Sequence, residues 1–451
     1  MEEKKQKSIK PELAGGFRDY LPAQATERNA MFTTLKNAFE RFGFVPLETP
    51  GVERYEVLTG GDKDFDKQLY RLVSGDGEKT ENLALRFDLT VPLARVVAAN
   101  ASTLALPFKR YQIGSVWRGE RQQAGRYKEF MQCDVDIVGS KRMEADAEIV
   151  ALLYTVMKEL GVEEFLIRVN NRKLLNALPA YAKFDKKFIA DVLRALDKYD
   201  KQGFEEVKKE LSSKPISLDA TAIKAIETFI NIKGKDASDT LNKLEKAFDG
   251  ILDATEGIGE LKQILQNLKA LGVPKEAWEI DVSVARGLSY YTGPVFETFV
   301  KGFEDIGSVA SGGRYDGLME RFGAGEIPAV GVSVGIDRLY AVLQEKNKQQ
   351  TGSVSADVLV LNFNDTCVSD VQRLVGQLRA NKISAELYVG QEKSLKGQIS
   401  YGVKKGFGAL CIIGDDEKKR EVVQIKNIAS RQQKEVMFDD VVAEVKKLLA
   451  D

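Results

Sequence analysis

Between Phe130 and Ile137 the chain alternates with a period of two. Met131, Cys133, Val135 and Ile137 fall on one face, and Phe130, Gln132, Asp134 and Asp136 on the other. The pattern predicts a strand with an apolar back and a front that is polar apart from one aromatic. A half-buried surface strand carries the same alternation. The residues before it add chemistry: Gln112, Arg118 and Glu120 share one strand face, and the short loop Gln122 to Gly125 turns the chain back. Arginine and carboxylates then converge on the open side of an antiparallel sheet, as binding of a charged phosphorylated molecule requires.

Helical spacing governs other stretches. From Ala25 to Gly43, Met31, Leu35, Ala38, Phe39 and Phe42 recur at helical intervals, with Gly43 as the stop. A short strand broken by prolines, Phe44 to Pro50, follows, and by itself reads as an edge strand. From about Asn176 to Gly272 lysine- and leucine-rich helical patterns dominate, as in Phe188 to Leu196 and Leu261 to Leu271. Most of those lysines read as solvated helix faces. Val282 and Val284 continue as a strand after Trp278, and a helix runs through Val342. Glu345 to Ser353 is polar and contains Gly and Ser, which marks a linker. Beyond it, strands at Asp357 to Asn362, Ser384 to Val389 and Ala409 to Ile413 alternate with helices at Asp370 to Asn381, Ser394 to Lys405 and the C-terminus. That alternation predicts a small α/β domain.

Composition narrows the chemistry. The 451 residues, 43% hydrophobic and 29% charged, allow about three domains with ample core. A formal net charge of −1 gives no global positive field, so a nucleic-acid surface has to be a local patch. Cys133, Cys367 and Cys411 are widely spaced, which points to reduced thiols and neither a disulfide framework nor a zinc ribbon. Met1 to Lys10 is charged and lacks an apolar core segment, and no run approaches membrane-spanning length; a cytoplasmic protein without a membrane partner is expected. The chain has no histidine. Imidazole bases, Ser-His-Asp triads and His-ligated metals are therefore excluded, and chemistry must run on Arg, carboxylates, Tyr, Lys and bound ions.

Several motifs now fall into order. Tyr111 to Gly139 resembles motif 2 of the class II aminoacyl-tRNA synthetases. Ala285-Arg286-Gly287-Leu288-Ser289-Tyr290-Tyr291-Thr292-Gly293 resembles the signature peculiar to histidyl-tRNA synthetases. Gly16-Phe17-Arg18-Asp19-Tyr20-Leu21-Pro22, Leu85-Arg86-Phe87-Asp88-Leu89-Thr90, Ser311-Gly312-Gly313-Arg314-Tyr315-Asp316 and Gly331 to Leu339 are similar to further family segments, and together they span nearly the whole chain. The resemblance implies an α/β (α+β) architecture: an antiparallel catalytic sheet flanked by helices over residues 1–345, a helical insertion at about 176–272, and an α/β anticodon-binding domain over 353–451. It also implies a homodimer, with the Ala25 to Pro50 region resembling motif 1 at the interface.

The resemblance implies site roles residue by residue. Arg118 and Arg286 would be catalytic, beside the α-phosphate of ATP, with Arg286 in the place of a metal ion found in sister enzymes. Glu120, Arg126, Phe130 and Arg338 would join Arg118 in holding ATP, Phe130 by stacking on adenine. Asp88, Thr90 and Gln132 would receive the ammonium of L-histidine. Asp136 and Tyr291 would bracket its imidazole, with Tyr290 and Tyr315 lining the pocket. Mg²⁺ would accompany ATP, no protein-held metal is implied, and tRNA-His would be the acylated partner. Asp136 stands where many members carry glutamate and Ser289 where aspartate is commoner, and the loop Arg121-Gln122-Gln123 lacks the usual proline. Two other readings share these motifs: a non-catalytic paralogue that serves as the regulatory subunit of ATP phosphoribosyltransferase, and a class II synthetase for another amino acid. The first tends to lose the ATP-contacting arginines and lacks the C-terminal domain. The second would not be expected to carry the Arg286 to Tyr291 segment.

Overall fold

The computed structural model describes residues 9–60, 68–73, 82–119, 127–285, 290–346 and 356–450. The chain divides into two compact units, Met1–Arg18 with Met31–Lys346, and Asp19–Ala30 with Asn347–Asp451. The division falls inside the helix Pro22–Arg41. That helix buries Met31, Leu35, Ala38 and Phe39 at the expected spacing, and Gly43, at φ +78°, takes the left-handed turn that ends it.

The first unit holds strands β1 (Val45–Pro46), β2 (Val52–Arg54), β3 (Leu83–Leu85), β4 (Phe108–Trp117), β5 (Glu129–Val138), β6 (Phe165–Asn171), β7 (Trp278–Ile280), β8 (Pro294–Val300), β9 (Ala310–Arg314) and β10 (Ala329–Gly335). β2 and β3 form a small ribbon, and the others make one sheet in the order β1-β4-β5-β10-β9-β8-β6-β7. Pairing is antiparallel from β4 through to β6; β1 on β4 and β7 on β6 are parallel. The proline-bounded β1 is thus an edge strand, where a missing N–H costs least.

Alternation sorts the sheet's two faces. Cys133, Val135 and Ile137 on β5 and Val330, Val332 and Val334 on β10 belong to a continuous apolar core that includes the helix Met143–Glu159. Glu144 and Asp146 in that helix's first turn and Lys158 in its last complement the helix dipole. Between Arg172 and Ala270 the described elements are helical, and their apolar residues join the same core. Asp219 and Asp236 start two of these helices by accepting from the N–H groups of Ala222 and Asp239. The helix Leu252–Ala270 begins about two and a half turns earlier than the Leu261 to Leu271 pattern indicates. Gly257 and Gly259 blur its first turns; a Cβ on Gly257 would press on Lys173 and Asn171, so that glycine serves close packing.

One predicted strand is absent. Val282 and Ser283 form a turn and Val284 follows outside any strand, because the Asp281 carboxylate accepts from the Ser283 N–H at 3.0 Å and its hydroxyl at 2.7 Å. Both valines are buried, and Asn170 Nδ2 donates to both of their carbonyls, at 3.2 and 2.9 Å. The helix expected to end near Val342 continues to Lys346, so the predicted linker begins inside it, and residues 347–353 lie outside the described set.

The second unit is built on β11 (Val358–Val360), β12 (Ala385–Leu387), β13 (Ala409–Ile412), β14 (Val422–Asn427) and β15 (Gln433–Met437). Their order is β12-β11-β13-β14-β15, parallel across the first three and antiparallel across the last two pairs. The first three strands and the helices Val368–Ala380, Leu395–Lys405 and Val441–Ala450 match the predicted alternation, while the β14–β15 hairpin is an addition to it. Its outer strand is mostly exposed and polar, which removes the apolar signal.

Candidate active site

The strand registers set the cleft face of the large sheet. One row across five strands reads Gln112, Asp134, Ser333, Ser311 and Glu297. The next reads Arg110, Asp136, Gly331, Gly313 and Val295, and a third carries Gly114, Gln132 and Gly335. Polar groups from β4, β5, β10, β9 and β8 thus meet although up to about 220 residues separate them in sequence. The glycines are required: a Cβ on Gly331 would collide with the Asp136 carboxylate, and one on Gly312 with the Gly331 carbonyl.

A cavity of about 640 Å³ stands on this face. Asp88, Thr90, Arg118, Gln132, Asp136, Tyr290, Tyr291, Tyr315 and Arg338, all singled out in the sequence, line it. An adjoining cavity of about 220 Å³ is bounded by Phe130, Tyr127, Arg118 and Arg338. Glu120, Arg126 and Arg286 lie outside the described residues.

Each side chain is held by its neighbours. Asp88 precedes the helix Thr90–Ala99 and accepts from the Val91 N–H at 3.0 Å, and its burial raises its pKa. Asp136 is engaged on both oxygens: Arg110 Nη2 lies 2.7 Å from Oδ2, and the Tyr315 hydroxyl donates to Oδ1. Burial raises the Asp136 pKa against the lowering effect of Arg110. Tyr290 packs edge-on against Tyr291 and Tyr315, with centroids 4.9 and 5.8 Å away, and burial pushes all three phenols upward. Thr292 Oγ1 donates to Asp316 Oδ2 at 2.8 Å, which anchors the chain just after this pair. Arg314 is buried against Asp146 and 3.4 Å from Asp316, so it braces the strand end that presents Tyr315.

Arg118 sits beyond the end of β4 and continues its alternation. Its guanidinium lies 4.3 Å from the Phe87 ring centre and 5.0 Å from that of Phe130, and Nε donates to the Phe87 carbonyl at 3.3 Å. Arg338 Nη1 donates to the Ser308 carbonyl at 2.7 Å. Arg18, from the first motif, donates to the Tyr127 hydroxyl at 2.9 Å and pairs with Asp337 at 3.5 Å, while Asp337 accepts from the Met131 N–H at 3.1 Å. The N-terminal motif thereby ties β5 to the start of the helix Ile336–Lys346.

Several cleft groups went unread in the sequence. Arg110 lies two residues before Gln112 on the same face, so alternation carried the signal. Asp134 was placed on the polar face but given no role; Ser311, Ser333 and Glu297 become visible only through cross-strand register. Arg172, Arg194 and Asp197 line the larger cavity from the helical region, where a solvated face was expected.

A helix-backed antiparallel sheet whose covered face joins arginines to carboxylates is the class II aminoacyl-tRNA synthetase catalytic fold. Comparison with known proteins narrows this. The family described as histidyl-tRNA synthetase matches residues 16–339, and the anticodon binding domain family matches residues 357–448. The histidine–tRNA ligase of Clostridium tetani is 40% identical, covering 97% of this chain and 98% of that protein; that of Wolinella succinogenes is 39% identical, covering 98% and 99%. The crystal structure of histidyl-tRNA synthetase from Nostoc sp. PCC 7120 superposes with a TM-score of 0.86 at 31% identity, covering 98% of this chain and 100% of that one. The chain belongs to the histidyl-tRNA synthetase family.

Proposed function

We infer that this chain is a histidine–tRNA ligase, which joins L-histidine to ATP as histidyl-adenylate and passes the histidyl group to the 3′ end of tRNA-His. The carrying observation is the gathering of Asp88, Thr90, Gln132, Asp136 and three tyrosines with Arg118 and Arg338 around one cleft. Neither the regulatory-subunit reading nor another amino acid is favoured, given family matches to both the catalytic and the anticodon-binding segments.

In the first step a histidine carboxylate oxygen attacks the α-phosphorus and diphosphate leaves. In the second a ribose hydroxyl of tRNA attacks the acyl carbon and AMP leaves. Negative charge builds at the reacting centre in each, so positioned cations do most of the work. Arg118 meets the α-phosphate and the substrate carboxylate, and its stacking between two rings fixes its direction. Arg286 adds a second cation there. Phe130 stacks on adenine, and Arg338, Glu120 and Arg126 hold the remainder of ATP. Asp88, Thr90 and Gln132 take the substrate ammonium, with Gln132 fixed by donating from Nε2 to Ser333 at 3.0 Å. Asp136, Tyr290, Tyr291 and Tyr315 enclose the imidazole.

Among the described residues no group of three or more acidic, Cys or His side chains could hold a metal. On this reading Mg²⁺ would come with ATP, and Glu297 is a carboxylate lining the cleft that could join it. Bound there, it would neutralise charge on the phosphates. The working form is a cytoplasmic homodimer, a reading supported by the edge position of β1 beside the motif 1 helix; none of the described helices is long and apolar enough to cross a membrane. The C-terminal unit reads tRNA, with Lys396 and Lys404 exposed on the helix Leu395–Lys405. ATP–diphosphate exchange tests the reading: it should require both histidine and Mg²⁺, and exchange with another amino acid but none with histidine would overturn the assignment.

A further inference from the structure

Asp134 has no place in that account, yet it sits at the centre of the cleft face. It is 3% exposed, it lines the 640 Å³ cavity between Gln132 and Asp136, and although Ser333 bonds the carboxylate, its buried Oδ1 has no hydrogen-bond partner among the described residues. Asp136, by contrast, accepts from the Tyr315 hydroxyl at Oδ1, and its Oδ2, which has no hydrogen bond among the described residues, lies in an ion pair with Arg110. A buried acceptor left without a donor costs about 1–3 kcal/mol. The ligand-free face is therefore incomplete in a way that a molecule bearing N–H groups completes.

The charges point the same way. Asp88, Asp134 and Asp136 are three buried carboxylates. Arg110, itself fully buried, answers Asp136, and the substrate ammonium answers Asp88. From β4 Asp134 faces Arg110 and Gln112, from β10 Ser333, and along β5 Gln132 and Asp136. Asp88, Arg86, Tyr290 and Tyr291 act on it through space, but Arg86 donates to the carbonyls of Thr49 and Ser115. Among the described residues the cation that acts most strongly on Asp134 is Arg110, which Asp134 shares with the ion pair to Asp136.

We propose that Asp134 is the carboxylate that takes the imidazole N–H of the substrate, and that recognition at this cleft demands a basic ring. The proposal rests on reading the cleft as the histidine site. Asp136 is then a positioning residue that holds Arg110 and Tyr315 around the pocket. One proton is shared in the complex: protonated Asp134 with neutral imidazole and carboxylate with imidazolium have the same composition. Burial supports the match, since it pushes Asp134 up to about 7, close to the value of about 6.5 for a free imidazole. A side chain of similar shape but feeble basicity can still offer an N–H, but it cannot hold the shared proton and leaves the buried carboxylate's charge uncompensated.

Two measurements decide it. In ATP–diphosphate exchange at neutral pH, Asp134→Asn should lose about thirtyfold or more in kcat/KM for histidine and less than about threefold for 1,2,4-triazolylalanine, whose ring is far less basic. The KM for ATP should stay within about twofold. Equal losses on both amino acids, or a retained preference for histidine, overturn the proposal. The second measurement needs no variant, so a failure of Asp134→Asn to fold leaves the question answerable. Histidine binding to the unmodified enzyme at pH 8, followed by calorimetry in buffers of different ionisation heat, should take up close to one proton, and an uptake near zero overturns the proposal. Absence of any histidine-dependent exchange in the unmodified enzyme would instead remove the underlying reading of the cleft, a distinct result from exchange without proton uptake.

Discussion

The two sheets of this molecule use the same alternation for opposite ends. In the C-terminal sheet both faces are apolar: Val358, Val360 and Cys411 point into one core, and Leu359, Leu361, Leu410 and Ile412 into another. In the large sheet only one face is apolar, and the other, covered to a similar degree, holds Arg110, Asp134 and Asp136 at 3% exposure or less. Burial is therefore no guide to role here. The C-terminal sheet gains stability from both sides, whereas the large sheet accepts the desolvation of charged groups on the side where the chemistry lies.

The largest test of that contrast is Arg118→Ala. Its guanidinium stacks on two rings and donates to the Phe87 carbonyl, and the nearby Asp88 keeps its own bond from the Val91 N–H, so the fold should survive while histidine-dependent exchange falls by about 10²–10³. The same is expected of Arg286→Ala. A drop of less than about tenfold, roughly 1.4 kcal/mol, would remove these arginines from the chemistry. On the other sheet, Leu410→Ala should cost the C-terminal unit about 2–5 kcal/mol in denaturant unfolding and leave exchange unchanged. If exchange fell in step with stability, the division of labour between the sheets would be lost.

The smallest effect is a pH-dependent one. The folded pKa of Asp134 lies near 7, above the ordinary carboxylate value, because burial disfavours its charge. The stability it contributes is fully present below about pH 4 and is lost as pH rises through 7. Asp134→Asn carries no such loss. The ligand-free variant should melt with the unmodified protein near pH 4 and roughly 2–4 °C above it at pH 8. Equal melting at pH 8 would mean that Asp134 is not held against its charge.

What the sequence disclosed follows from which signals are local. The alternation from Phe130 to Ile137 assigned both faces of β5, and the helical spacing of Met31, Leu35, Ala38 and Phe39 assigned the buried side of a helix. The Val-Ser-Val segment at 282–284 has strand-like alternation, yet Asp281 turns it, since a side chain that bonds the backbone two residues on outweighs a short β-branched pattern. β15 opens with three polar, exposed side chains, Gln433 to Glu435, before Val436 and Met437, and so offers no period to read. The pairing of Arg110 with Asp136, and of Tyr315 with Asp136 across 179 positions, depends on strand register, which no window of sequence contains.

The strand order also has a consequence for how the chain is made. β5 leaves the ribosome beside β4, but its other neighbour, β10, follows only after about 190 more residues. At 5–20 residues per second that interval is roughly 10–40 s. Through it, β5 presents a ten-residue open edge next to an apolar face, the form of strand that invites association between nascent chains. Gln132, Asp134 and Asp136 stand on that strand throughout the wait. Asp134 and Asp136 can thus first act as gatekeepers, keeping unfinished copies of the same sheet apart until the last central strand arrives.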